Sequence, residues 1–173
     1  MKHLWTALAL ASTLAGCAGM GVNPAGPSAT ARLEPTKGNT TSGIVEFHQR
    51  GGAVQVTATV TGLAPNQEHG FHLHEKGDCS SGDGMSAGGH WNPDNQPHGP
   101  QTAAHHAGDM PSLKADGSGN AKATFTLPNV TVADGMRSVV GRGLIVHKDP
   151  DDYKTQPTGN AGARLACAVV RPA

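Results

Sequence analysis

The sequence predicts an all-β domain, a sandwich or flattened barrel of about eight antiparallel strands, and three observations lead there. Several segments alternate apolar and polar residues with a period of two. No stretch of about 12 residues in the mature chain shows a helical period. Glycine (24) and proline (12) are plentiful while aromatics are only 3%, the composition of short Val/Thr/Ala strands joined by turns and loops. With 173 residues and no internal repeat, a single domain with one core is expected.

The first residues stand apart. Lys2 and His3 precede an apolar run from Leu4 to Leu14, as long as a signal-peptide core and too short to span a bilayer, so residues 1–16 are expected to be an export signal. The run ends in Leu14-Ala15-Gly16-Cys17, which resembles the lipobox of bacterial lipoproteins, where the cysteine is acylated and begins the mature chain. The alternative is an ordinary small-x-small cleavage site at Gly16 and Ala18, which leaves a soluble protein. A lipidated Cys17 would hold the chain on a membrane almost permanently. Residues 17–30, rich in Gly, Pro, Ala and Ser, would then be a flexible tether to a domain spanning 31–173.

Strands follow in order at Ala31–Lys37, Ile44–Gln49, Val54–Val60, Gln67–His74, Met110–Ala115, Ala121–Leu127, Leu144–His147 and Arg164–Val170. The third sets Val54, Val56, Ala58 and Val60 against Gln55, Thr57 and Thr59, the pattern of a half-buried strand. Ala121, Ala123, Phe125 and Leu127 repeat it against Lys122, Thr124 and Thr126. Gly51-Gly52 and Asp116-Gly117 mark tight hairpins, and Pro65-Asn66 a turn. Two long loops, Glu75–Asp109 and Lys148–Ala163, break the alternation. Loops of this length in a compact domain are usually functional or disordered. The first carries His90, His98, His105, His106 and Asp109, so metal binding could order it.

Besides Cys17 the chain has Cys79 and Cys167. An even pair in an exported protein reads as a disulfide. Lys+Arg (13) balances Asp+Glu (13), so no global field favours nucleic acid or another polyanion.

His72 and His74 lie two residues apart. On a strand their imidazoles project side by side, whereas on a helix they would diverge by about 200°. Two solvated histidines would be the bland reading, but further ligand types agree with a metal site: His90, His98, His106 and Asp109 in the long loop, and His147 at the end of Leu144-Ile145-Val146. An all-nitrogen set suits divalent copper, and three histidines with a carboxylate suit tetrahedral zinc. His72, His74 and His147 come from strands; His98, His106 and Asp109 come from the loop; His90 could serve either set.

Gly70-Phe71-His72-Leu73-His74-Glu75, Ser86-Ala87-Gly88-Gly89-His90-Trp91-Asn92-Pro93, His106-Ala107-Gly108-Asp109 and Gly159-Asn160-Ala161-Gly162-Ala163-Arg164-Leu165-Ala166-Cys167 together resemble the signature segments of copper/zinc superoxide dismutases. The resemblance spans roughly residues 31 to 171. It implies a Greek-key barrel or sandwich with two functional loops. It implies copper at His72, His74, His90 and His147, zinc at His90, His98, His106 and Asp109, and His90 as a bridge that carries a proton during turnover. Arg164 matches the active-site arginine that attracts and orients superoxide. Asp151 matches the carboxylate that links a copper histidine to a zinc histidine, here His72 and His98, with Asp152 as the adjacent alternative. His105 competes with His106 for zinc, and spacing to Asp109 favours His106. His69 has the opposite strand parity from His72 and is expected to face away from copper.

The implied reaction converts superoxide to dioxygen and hydrogen peroxide by copper redox cycling, with zinc shaping the loop. A non-catalytic copper/zinc binding protein on the same scaffold is the alternative; such members usually lack ligands or the arginine, and this chain lacks neither. Lys148 and Lys154 are the only basic residues of the second loop before Arg164, so its steering charges are not assigned. The place of Cys79, five residues after His74, resembles the bacterial branch, and a periplasmic, membrane-anchored protein is expected, either a homodimer or a monomer.

Overall fold

The computed structural model describes residues 26–173. Residues 1–16, Cys17 and most of the expected tether lie outside the described residues. The described residues form ten strands and one short 3₁₀ turn, Met85–Ala87. They are β1 (Ser28–Pro35), β2 (Ser42–Arg50), β3 (Ala53–Thr61), β4 (Glu68–His69), β5 (Phe71–His74), β6 (Leu113–Lys114), β7 (Ala121–Pro128), β8 (Gly143–His147), β9 (Arg164–Val169) and β10 (Arg171–Pro172). Eight form one antiparallel sheet in the order β5-β8-β9-β1-β2-β3-β7, with β10 against β1; β4 and β6 pair separately. Neighbours that are distant in sequence, β3 with β7 and β5 with β8, give the Greek-key connections.

The alternating segments behave as their pattern requires. In β3, Val54, Val56, Ala58 and Val60 point into the core, and the intervening residues are exposed or half-buried. The Gly51-Gly52 turn joins β2 to β3 with Arg50 opposite Ala53. Inside, Leu33, Val45, Phe47, Phe71, Leu73, Leu127, Leu144 and Val146 form one fully buried cluster. Each such side chain contributes roughly 1.5–3 kcal/mol through the water it sheds. Phe71 meets Phe125 edge to face at 6.5 Å.

The structure redraws four boundaries. β1 starts at Ser28, so the last residues assigned to the tether are a strand, held by Ser28 opposite His48 and Ala29 opposite Pro172. The Gln67–His74 segment is two strands because the Gly70 backbone bonds to the end of β8 and the loop after it: its N–H donates to Asp149 O (2.9 Å) and its C=O accepts from His147 N (2.8 Å). Met110–Ala115 shrinks to β6, and Asp116 closes a wider turn by accepting from the N–H groups of Ser118 and Asn120. Val170 breaks the last segment because it pairs with Arg142.

Cys79 and Cys167 form a disulfide with Cα atoms 5.9 Å apart. It ties the long loop to β9.

Candidate metal centre

β5 positions the site. Its residues are buried throughout: Phe71 and Leu73 enter the core, and His72 and His74 alternate with them toward the loops. One edge of β5 pairs with β8, which brings the His147 ring to 5.0 Å from that of His72 and 5.6 Å from that of His74. The other edge takes the long loop: Leu73 N donates to Gly108 O and Trp91 N to Leu73 O, both at 2.9 Å. Bridges of His74 with His90 and of His72 with Asp109 follow. Gly108 permits this approach, since a Cβ there would stand 2.2 Å from Leu73 O. A loop without strand alternation thus delivers two site residues by using the free edge of β5.

Two clusters result, each with its donor atoms within 4.8 Å of one another and every residue buried. One is His72, His74, His90 and His147; the other is His90, His98, His106 and Asp109. His90 belongs to both.

The hydrogen bonds fix which ring nitrogen is free. A carbonyl can only accept, so His74 Nδ1 donates to Gly88 O at 2.9 Å, and Nε2 keeps a lone pair. His147 Nδ1 faces Gly162 O at 3.3 Å, the long end of the range. His72 Nε2 meets Asp151 Oδ2 at 2.7 Å, and His98 Nε2 meets Asp151 Oδ1 at 2.9 Å. His90 Nδ1 lies 2.8 Å from Asp109 Oδ1. The same oxygen stands 3.0 Å from His98 Nδ1 and 3.3 Å from His106 Nδ1.

What remains is telling. His72 Nδ1, His74 Nε2, His90 Nε2 and His147 Nε2 are buried with no hydrogen-bond partner, as is His69 Nε2 outside the clusters, whereas His98 Nδ1, His106 Nδ1 and His90 Nδ1 all converge on the single oxygen Asp109 Oδ1. An unsatisfied buried polar atom costs about 1–3 kcal/mol, and a fold does not gather four in one cluster unless something binds them. Four imidazole nitrogens fit copper, and three imidazoles with a carboxylate fit zinc.

Electrostatics agree. Burial lowers His74 and His147 well below their ordinary value, and neighbouring imidazoles lower them further. Burial also takes His90 down to about 4. His98 goes the other way: burial works to lower it, but hydrogen bonds to Asp109 and Asp151 prevail and raise it to about 9. Burial would raise the Asp109 carboxyl, yet hydrogen bonds from His106, His90 and His98 hold it far below the usual carboxylate range.

Residues 41–170 match the family described as copper/zinc superoxide dismutase. The chain belongs to the copper/zinc superoxide dismutase family.

Among relatives of this dismutase, superoxide dismutase [Cu-Zn] 2 of Aquifex aeolicus is 40% identical over 134 residues, covering 75% of this chain and 78% of its own. A superoxide dismutase [Cu-Zn] of Cordyceps militaris is 43% identical over 138 residues, covering 75% and 88%. Among solved structures, a double mutant of a SOD-like protein from Bacillus subtilis superposes with a TM-score of 0.73 at 33% identity, covering 81% of this chain and 95% of its own.

The neighbouring residues of this dismutase separate cleanly. Asp151 reaches both histidines, whereas Asp152 accepts from Lys154 N, Thr155 N and Thr155 Oγ1 in a local turn. His105 lies outside both clusters, with Nδ1 donating to Ala103 O at 2.6 Å. His69 is also outside them, but its Nδ1 donates to His147 O at 2.9 Å. Arg164 opens β9 opposite His147, where the β8–β9 register shifts. It donates Nη1 to Gly84 O and Nη2 to Gly88 O, both at 2.7 Å. Gly88 O therefore holds His74 and Arg164 together. Sequence reasoning missed these two carbonyls, and main-chain acceptors leave no residue-type signal.

Proposed function

We propose that this protein dismutates superoxide to dioxygen and hydrogen peroxide, with copper at His72, His74, His90 and His147, zinc at His90, His98, His106 and Asp109, and Arg164 as the residue that receives the anion. The observation that carries the reading is the pair of buried four-donor clusters that share His90. When bound, copper supplies the one-electron cycle that oxidises one superoxide and, with two protons, reduces the next, while zinc supplies a fixed charge without redox chemistry.

The chain's own residues do the rest. Arg164 has five N–H donors and uses two sites on carbonyls of the 84–88 turn, so the others can bind and orient a small anion. The turn's hold on the guanidinium fixes its direction without neutralising it. His90 can serve both clusters only with both ring protons gone, which two nearby cations make feasible. Nε2 is then the atom at which a proton is held or released beside the substrate. Asp151 orients His72 and His98 through their Nε2 atoms, leaving each Nδ1 free.

Residue-resolved metal analysis tests the assignment. His147→Ala should lose copper and activity while keeping zinc, and His106→Ala should lose zinc first. Full copper retention in His147→Ala would overturn the ligand set. We propose further that residues 1–16 are an export signal and that Cys17 is lipidated, so that the protein works in the periplasm on a membrane; the apolar run, the lipobox-like Leu14-Ala15-Gly16-Cys17 and the disulfide support this. Cys17→Ser should move the protein from the membrane to the soluble fraction; continued membrane fractionation would refute the anchor.

A further inference from the structure

His98 sits in a loop with no strand partner, so its backbone N–H and C=O find no ladder. Buried main-chain groups nevertheless need partners. The side chain of Gln156, 58 positions away, supplies both: Oε1 accepts from His98 N–H at 2.8 Å, and Nε2 donates to His98 C=O at 2.8 Å. The primary amide imitates one rung of a β-ladder. With Asp151 Oδ1 on the ring Nε2, His98 is held at three points from the segment 151–156. Its remaining nitrogen, Nδ1, is directed at Asp109 Oδ1, 3.0 Å away.

That segment is itself braced. Tyr153 adopts φ 55°, its N–H donates to Asp151 Oδ1 at 2.7 Å, and its hydroxyl accepts from Ser112 N at 2.8 Å and donates to Ser112 Oγ at 3.0 Å. Gly159 closes against it so tightly that a Cβ would stand 2.0 Å from Asp151 Oδ1 and 2.5 Å from His98 Nε2. Asp151 touches a residue of each cluster. Gln156, by contrast, hydrogen-bonds to His98 and to no other cluster residue.

We propose that Gln156 is a positioning residue for zinc: its side-chain amide clamps the backbone of His98 and governs how fast zinc leaves, independently of copper. The proposal rests on zinc being held by His90, His98, His106 and Asp109. Releasing the clamp frees the His98 main chain to rotate and turn Nδ1 away, whereas the copper cluster keeps all four nitrogens. Removing a group that orients a metal ligand typically costs 10–100-fold in metal affinity.

The experiment uses the full copper- and zinc-loaded protein and follows zinc release into excess 4-(2-pyridylazo)resorcinol. In parallel, copper is read by its electron paramagnetic resonance spectrum. Gln156→Leu, close in size but unable to make either bond, should release zinc about 10–100 times faster, with copper content unchanged and with the copper spectrum of the fully loaded protein, recorded before zinc release, the same as that of the unmodified protein. Gln156→Glu keeps the acceptor but sets a carboxylate against the His98 carbonyl, and should change zinc release in the same direction. Tyr153→Phe, which removes the hydroxyl without touching His98, should stay within about twofold of the unmodified protein. A release rate within twofold in both Gln156 variants would overturn the proposal. So would parallel loss of copper, which would mean the loop had melted. An unmodified protein that binds no zinc would instead refute the ligand assignment, so the two failures are distinguishable.

Discussion

Opening the Cys79–Cys167 disulfide probes the fold and the anion site together. The bridge closes a loop with a sequence separation of 88. Loop-closure entropy for that length amounts to about 4.6 kcal/mol at 25 °C. That figure is a ceiling, since measured disulfide contributions are typically smaller, about 2–4 kcal/mol. At about 2–4 °C per kcal/mol for a chain of this size, the ceiling corresponds to a midpoint about 9–18 °C lower. Cys79→Ser with Cys167→Ala is the suitable pair, because Cys167 is buried against Ala87 and Ile145 and a hydroxyl there would be desolvated. Thermal unfolding of the metal-free protein avoids the stabilisation that bound metal adds. Reducing the unmodified protein should lower the midpoint to match. The bridge also anchors the loop that carries Gly84 and Gly88, whose carbonyls aim Arg164, so activity per bound copper should fall in the double variant. A midpoint change below about 3 °C, together with unchanged activity per copper, would refute this reasoning.

The stability of the metal-free protein should peak near pH 6.5. His90, taken down to about 4, resists protonation only when folded, so stability is lost as pH falls from about 6.5 toward 4, by about 3 kcal/mol for this residue alone. His98, raised to about 9, contributes stability that is complete below about 6.5 and is lost as pH rises through 9. Urea denaturation from pH 4 to 9 measures both limbs, and a flat profile between pH 4.5 and 6.5 would contradict the burial argument. Arg164→Ala should keep both metals while activity falls on the order of tenfold or more and depends less on ionic strength. Arg164→Lys should fall between, because it keeps the charge but loses the planar fork; wild-type activity in Arg164→Ala would remove the residue from the mechanism.

Legibility in the sequence followed the physics of each element. β3 and β7 have one face in the core and one toward solvent, so their alternation was plain. β5 and β8 are buried on both faces and were found by their short apolar runs punctuated by histidines. The interruption at Gly70 was not legible, because its cause is a backbone bond to Asp149 some eighty residues later. β10 is the two-residue strand Arg171–Pro172 and carries no alternation at all. The cluster side chains were nominated by residue type, since imidazoles and a carboxylate at those spacings have few other uses. Asp151 and Asp152 looked alike in sequence and were separated only by what each one touches. Gln156 and Tyr153 gave no signal: an uncharged side chain in a loop announces nothing until the fold brings His98 or Ser112 to it.

The central claim is that copper in the His72, His74, His90 and His147 cluster destroys superoxide. Superoxide decay after pulse radiolysis tests it directly, comparing copper- and zinc-loaded protein with protein holding zinc alone. The loaded protein should accelerate decay in proportion to its copper, toward the diffusion ceiling of about 10⁸–10⁹ M⁻¹s⁻¹ that superoxide dismutases are known to reach, and cyanide should abolish the effect. Full loading with both metals and a decay no faster than that of the zinc-only protein would contradict the account.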